Sequence, residues 1–565
     1  MKAKVVFKPY NQHQLSLFPL DLNQMIPENH AVRLLSDVVD LFDISDVLAT
    51  YQGGGTSSYH PRMLLKVLLW AYFNNIYSSR KIARALESDI YFMWISGMQR
   101  PDFRTIAKFR SGRLKKRIEE YFVEVTKLLN EFGVISLQEI SYLDGTKIEA
   151  NANRYSFVWG KRVKHSKEKL EQRIKSVLSY INQQIKLEES ENSQQIDLSE
   201  IDVKGLKSRV KELNQKLQEN KQLPKREKKK LQTKLKHVEQ KDIPKLEEYE
   251  EHLKKLDSRN SYSKTDVDAT FMRMKEDHMR NSQLKPGYNV QISTQNQFIV
   301  HYTIGQRPTD TTLLPVHMDT FALRYGFYPK QLVADAGYSS LENYEFLERR
   351  GIDSVIKPQT YEQKHKKKFK RQLGRVENMY YNRDKDYFVC AMGQHLEFEK
   401  EYFRVSSNGY KRKVRVYKAQ NCQGCPLRSQ CYKGKGRVKR IEVSLQMLHY
   451  IKEQEQKLSQ PYYKELYAQR KIEPESVFGN IKQNKHFRRF MLRGLDKVTV
   501  EFGLIAIVHN LAKLYEIVKN DWHRWKAFVA IMKQKASQKA RQLCFSFFNR
   551  IIFPPKKNFA YTFVL

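Results

Sequence analysis

Glu139-Ile140-Ser141-Tyr142-Leu143-Asp144-Gly145-Thr146-Lys147-Ile148-Glu149 is the stretch on which the fold turns. It reads as an apolar strand running into an acid, with Gly145 next to let the backbone turn close to a ligand. A carboxylate at the edge of a sheet costs solvation unless it ligates a cation or accepts good hydrogen bonds. Val333-Ala334-Asp335-Ala336-Gly337-Tyr338 repeats the pattern, and Glu475-Ser476-Val477-Phe478-Gly479-Asn480-Ile481-Lys482 opens a helix with a third acid. Two strand-end carboxylates and a third on a nearby helix can hold two divalent ions. In a chain this basic, the reaction suited to such a site is cleavage and transfer of phosphodiesters on DNA.

The 565 residues carry a formal net charge of +39. Length allows two to four domains with substantial cores. The charge implies an extended polyanionic partner whose binding weakens with salt. A membrane surface is the other polyanion, but no run of about 18 apolar residues suggests a spanning helix. Residues 1–9 lack the apolar core of a signal peptide, so an intracellular protein is expected. Five cysteines make no disulfide framework. No Gly-rich phosphate loop is present, which argues against an ATP-driven enzyme.

The expected fold class is mixed, α+β. An all-α amino-terminal domain precedes a mixed α/β domain, which a coiled-coil insertion and a basic, Cys-containing insertion interrupt. Residues 1–25 read as an arm and 26–135 as a helical DNA-binding domain. The catalytic domain is assembled from 136–162, 262–357 and 459–518. Residues 163–261 form the coiled-coil insertion, 358–458 the basic insertion and 519–565 a basic tail. Within the helical domain, Met63 to Tyr72 is too apolar for a surface helix and belongs at its centre. Two short helices, 80–86 and one after Pro101-Asp102, are expected to turn basic faces outward. Arg80, Arg104, Lys108 and Arg110 would then read the major groove in a helix-turn-helix. In the insertion, Leu170, Ile174, Val177, Ile181 and Ile185 recur at three- and four-residue steps, as coiled-coil helices do. Pro224 and Pro244 are expected to break it into segments.

For the third acid, Glu473 and Glu475 compete, and at the start of a helix either also favours the macrodipole. Glu475 is preferred, because Lys482 falls seven residues later on the same face, where it could hold a DNA phosphate. Asp266, Asp268 and Asp310 read as capping or turn residues, and His509 as a satisfied core histidine. Cys390, Cys422, Cys425 and Cys431 fit a structural Zn²⁺ site, with His395 as a substitute ligand. Cys544 reads as an ordinary apolar residue.

Together these segments resemble the bacterial insertion-sequence DDE transposases. Tyr142-Leu143-Asp144-Gly145-Thr146-Lys147-Ile148-Glu149-Ala150-Asn151-Ala152-Asn153-Arg154-Tyr155, followed by Trp159-Gly160-Lys161, is similar to the first catalytic motif, and residues 333–338 to the second. Tyr467, Arg470 or Lys471, Glu475 and Lys482 resemble the third, a Tyr-Arg-Glu-Lys signature. Lys471 stands at the usual distance from Glu475, and Arg470 is one residue too far. Gly53-Gly54-Gly55 with Tyr59-His60-Pro61-Arg62-Met63 resembles the family's helical domain. Phe487-Arg488-Arg489-Phe490 with Leu492-Arg493-Gly494 resembles the segment after the third motif. The resemblance implies an RNase H-like core and two Mg²⁺ or Mn²⁺ ions held by Asp144, Asp335 and Glu475. It also implies DNA contacts from the signature residues, cleavage at terminal inverted repeats and joining to target DNA. A homodimer on double-stranded DNA, at the nucleoid in the bacterial cytoplasm, completes the expectation. A nuclease without strand transfer and a non-cutting DNA-binding regulator are the alternatives.

Overall fold

The computed structural model describes residues 21–51, 57–186, 203–219, 223–274, 283–406, 408–434 and 436–552. Residues 53–55, most of the expected arm and the end of the tail lie outside the described residues.

The amino-terminal part is helical: Ala31–Asp40, Pro61–Phe73, Ser79–Ser88, Ile90–Ile95, Phe103–Ser111 and Ile118–Phe132. Pro61 presets the first turn of its helix, and His60 Nδ1 accepts the Arg62 N–H at 3.2 Å. Leu64, Leu65 and every residue from Val67 to Tyr72 are buried, so this helix is central. Two expectations need correction. A further helix, Ile90–Ile95, stands between the two basic ones, capped by Asp89, which accepts the N–H groups of Tyr91 and Phe92. The second correction is Arg110. Arg80 and Arg104 are exposed, both over the ring of Phe103, but Arg110 is buried with Ile106 and Phe109. Its guanidinium donates to Tyr72 Oη at 3.1 Å, the Tyr77 carbonyl at 2.6 Å and Ser79 Oγ at 3.3 Å. Position 110 lies one helical turn from 106 and so shares the inward stripe. Arg110 ties helices together and is withdrawn from any DNA-facing surface.

The mixed domain contributes β1 (Ile140–Glu149), β2 (Phe157–Trp159), β3 (Ser261–Ser263), β4 (Thr270–Arg273), β5 (Leu284–Gln295), β6 (Phe298–Gly305), β7 (Gln331–Ala334) and β8 (Asp353–Ile356). β1 is central: β5 runs antiparallel on one side and β7 parallel on the other, with β8 parallel beyond it. β4 and β6 share the outer edge of β5. In β5, Tyr288, Val290 and Ile292 join the main core, while Asn289, Gln291 and Ser293 point the other way, as period-2 alternation requires. The hairpin between β5 and β6 turns at Asn296 and Gln297, both with positive φ.

Leu495–Val518 lies between the helical part and the sheet. It is long and apolar enough to cross a membrane by length and composition, contrary to the sequence reading, yet 78% of its apolar window is buried. Its polar residues make internal bonds, as in a core helix. Asn510 accepts the N–H of Ile299 and donates to the carbonyl of Ile299, both at 2.8 Å, on β6. His509 meets Asn480 at 3.1 Å and the Gln297 carbonyl at 2.9 Å, the satisfied core histidine expected. Asp268 accepts the N–H of Leu495 at the helix start, a capping role.

Glu501, on the same helix, is fully buried and accepts the N–H groups of Met491 and Leu492. Burial pushes its carboxyl up from 4.5 to about 7. The folded chain therefore holds this proton more tightly than the unfolded chain. The stability it contributes is complete below pH 4.5 and is lost as pH rises through 7. Chemical denaturation between pH 4.5 and 7.5 should show Glu501→Gln flattening the decline, by on the order of 2–3 kcal/mol across that window.

Between β2 and β3 the chain runs out through Gly160–Lys186, Val203–Glu219, Lys225–His237 and Ile243–Leu256. Ile174, Ile181, Leu206, Leu213, Leu235 and Leu246 lie in a separate core at the expected spacing. Pro224 marks a break, but Pro244 does not. It sits in the first turn of Ile243–Leu256, which continues from the preceding helix through a π-helical stretch, Val238–Asp242. After β8 a second antiparallel sheet appears: β9 (Tyr380–Asn382), β10 (Tyr387–Val389), β11 (His395–Val405), β12 (Lys411–Ala419) and β13 (Arg440–Val443). The helix Leu445–Ser459 leads back from it to the first sheet.

Candidate active site

Pairing of Leu143 with Ala334 across β1 and β7 makes Asp144 and Asp335 the next residues on two adjacent parallel strands. Asp335 leaves the sheet where β7 ends, but Asp144 lies within β1, which runs on through Gly145 to Glu149 against β5 instead of turning there as expected. Asp144 Oδ1 accepts its neighbour's N–H, from Gly145, at 2.8 Å, and Asp335 Oδ1 accepts that of Gly337 at 2.8 Å. The third motif approaches from Pro461–Gln469 and Pro474–Gly479. Arg470 lies between them, its side chain 12% exposed. It bridges Glu475 Oε1 at 2.8 Å and Asp144 Oδ2 at 3.5 Å. Burial works against its charge, but Asp144, Tyr467, Asp335 and Glu475 outweigh that and raise its pKa. Tyr467 flanks the guanidinium, with the Arg470 carbon 5.8 Å from its ring. Lys471 is exposed.

The competing acids are separated. Glu475 is half exposed and faces Arg470. Glu473 is buried and accepts the N–H of Gln297 at 2.8 Å, in the β5–β6 turn. Burial raises its pKa. Pro474–Gly479 runs into a π-helical stretch, Asn480–Asn484. Lys482 within it is buried and donates to Thr146 Oγ1 at 2.7 Å, two residues beyond Asp144. Stretches of this kind often mark functional sites. Beyond it, Phe490 and Glu149 bond main chain to main chain at the end of β1. Phe487 and Phe490 are buried there, while Arg488 and Arg489 are exposed. A cleft of about 230 Å³ at Gly145 is lined by four cations, Lys147, Lys285, Lys482 and Arg488, and by two acids, Glu149 and Asp310.

Asp310 was expected to cap a helix, and the structure puts its carboxylate elsewhere. Oδ1 accepts from Asn289 at 2.7 Å and from Gln291 at 3.0 Å. A Cβ on Gly145 would stand 2.6 Å from that oxygen and 2.3 Å from the Gln291 amide, so a side chain at 145 would displace both groups from where they sit. Thr311 Oγ1 donates to the Gly337 carbonyl at 2.7 Å, fixing the loop to the turn after Asp335. Beneath them Tyr338 is buried and donates to Gln291 Oε1. Burial, then Asp310, Asp144 and Asp335, push its phenol well above the ordinary value. The polar alternation Asn289, Gln291, Ser293 on a buried strand was the signal available in the sequence.

Three carboxylates therefore gather where β7 ends beside the middle of β1, with a fourth on the facing helix linked through Arg470. Among the described residues, no group of three His, Cys, Asp or Glu side chains is drawn tightly enough to hold an ion as placed.

Residues 389–515 match the family model described as Transposase DDE domain, and residues 20–112 match Transposase domain (DUF772). Together the two matches indicate an insertion-sequence DDE transposase. The first span contains Arg470, Glu475 and Lys482; Asp144 and Asp335 lie outside both. These families indicate DNA transposition, with DNA as the substrate. No curated protein matches the chain. Among solved structures, the cryo-EM structure of piggyBac transposase synaptic complex with hairpin DNA is similar at 8% identity, covering 94% of this chain and 82% of that chain. Its TM-score is 0.28, too low to bear on the fold.

Proposed function

We propose that the chain cuts DNA at the terminal inverted repeats of its element and joins the ends to target DNA, on an RNase H-like core. The observation that carries this reading is that Asp144 and Asp335 directly follow the paired residues Leu143 and Ala334 of the adjacent parallel β1 and β7, with Glu475 linked to Asp144 through Arg470. The donor set is all carboxylate oxygen, which suits Mg²⁺ or Mn²⁺. The Arg470 guanidinium already supplies positive charge between Asp144 and Glu475, so the position favours a cation. Asp144, Asp335 and Glu475 would hold the ions. When bound, such ions activate an attacking water or 3′-hydroxyl and stabilise the leaving oxygen.

The chain's own residues do the rest. Arg470, held by Asp144 and Glu475 together, balances their charge at the centre. Lys482, held by Thr146, fixes a phosphate of the strand beside the acids. Arg488 and Arg489 extend that track, Tyr467 walls it, and exposed Lys471 reaches DNA further out. Arg80 and Arg104 contact the duplex from the helical part. Phosphate contacts supply most of the affinity and base-edge contacts the specificity. Asp310 positions: gripped by Asn289 and Gln291, it sets the field around Asp144 and Asp335. Asp310→Asn is expected to slow strand cleavage roughly 10–100-fold, as loss of an outer partner does at metal sites, with DNA affinity unchanged in a gel-shift assay.

Incubation with labelled terminal repeats and supercoiled target in Mg²⁺ tests the reading. Joined products support transposition. Nicks without joining would leave a nuclease, and binding without cutting a regulator.

A further inference from the structure

The second sheet brings together four cysteines that the transposition chemistry does not use. Cys390 follows β10 in the turn to β11, where its N–H bonds the Gln394 carbonyl and Gly393 bonds back to its carbonyl, both at 2.9 Å. Gly393 has φ +77. Cys422 and Cys425 follow β12, and Gly424 between them has φ +72. Two tight turns with left-handed glycines thus present thiols from neighbouring loops. Cys431 ends the short helix Arg428–Cys431. All four are free thiols, and all four line one cavity of about 30 Å³. His395, the substitute expected from sequence, is instead stacked on Tyr387 with ring centroids 3.8 Å apart, away from that cavity.

Two donors of Lys439 face sulfurs of this group. The main-chain N–H of Lys439 donates to Cys422 Sγ at 3.4 Å. The Lys439 ammonium is buried, 3.3 Å from Cys431 Sγ and 2.8 Å from the Gly374 carbonyl. Four thiolates around a divalent ion carry a net −2, which Lys439 and the amide N–H partly offset.

We propose that Cys390, Cys422, Cys425 and Cys431 bind one structural Zn²⁺, distinct from the catalytic ions. The sulfurs as placed surround the cavity without converging. Binding requires the four sulfurs that line the cavity to close on one ion at about 2.3 Å. The ion pins the 422–439 loop to the β10–β11 turn. Cys390 and Cys422 also touch the apolar core that Leu445 and Leu448 enter, so metal would stiffen the route from this sheet to the helix ahead of Arg470. Binding releases the thiol protons.

Full-length chain, expressed without added metal and dialysed, should contain about one zinc per chain by mass spectrometry of the elements. The double variant Cys422→Ser/Cys425→Ser should contain none. Should that variant fail to fold, wild-type chain stripped by chelator and titrated with Co²⁺ should develop the visible absorption of a tetrahedral thiolate complex, saturating at one ion. Four thiols that react freely in the native chain, with zinc absent and no cobalt colour, would overturn the proposal. So would a folded double variant that keeps its zinc. These readouts involve neither DNA nor Mg²⁺, so they stand or fall apart from the transposition reading.

Discussion

Asp144→Asn is expected to lower DNA strand cleavage by at least about 10³-fold, some 4 kcal/mol in the barrier, while leaving DNA binding intact. The amide preserves size and can still accept the Gly145 N–H at Oδ1. It loses the charge that Arg470 meets at 3.5 Å and that paired cations would need. Affinity should hold, because it comes from lysine and arginine contacts to phosphate. Removal of one negative charge from a basic cleft even favours a polyanion slightly. Cleavage of labelled repeats at saturating protein, beside a gel-shift titration, separates the two effects. A variant that still cuts within tenfold of wild type would remove Asp144 from the chemistry.

The second large effect is a contrast between two acids two residues apart. Glu475→Gln should cut cleavage on the same scale as Asp144→Asn and leave stability unchanged, since Glu475 is half exposed and bonds only Arg470 in the structure described. Glu473→Ala should do the reverse. Glu473 is buried against the β5–β6 turn and accepts the N–H of Gln297. Truncation leaves that donor unpaired at a cost of about 1–3 kcal/mol, visible as a lower urea midpoint. Cleavage by the folded fraction should be close to normal. Inactivity of folded Glu473→Ala together with activity of Glu475→Gln would reverse the assignment.

The sequence exposed those parts of the site where local pattern and burial agree. Asp335 follows the end of β7 as its apolar run suggests, and β1 and β7 do lie side by side, but Asp144 sits midway along β1, which continues through Gly145 to Glu149 against β5. The coiled-coil spacing from Leu170 to Ile185 appears in the structure as a helix with its own core. What failed was whatever depends on which face a side chain takes. Arg110 looked like a surface cation because its type is usually exposed, yet its position on the helix falls on the buried stripe beside Tyr72 and Ser79. Asp310 looked like a cap because it precedes a helix. Its carboxylate turns instead to Asn289 and Gln291, partners 21 and 19 residues away that no local rule connects. Pro244 was read as a breaker, but proline in a first turn has no N–H to lose, and a π-helical stretch absorbs the join. Between Arg470 and Lys471, spacing alone favoured the lysine. The break between Pro461–Gln469 and Pro474–Gly479 shifts the phase and brings Arg470 to the acids.

The most direct test is anomalous diffraction from crystals of the full chain with cleaved repeat DNA and Mn²⁺. Manganese peaks bracketed by the carboxylates of Asp144, Asp335 and Glu475, lost in Asp144→Asn crystals, are the expected result. Manganese bound elsewhere, with Asp144 and Glu475 still holding Arg470, would contradict it.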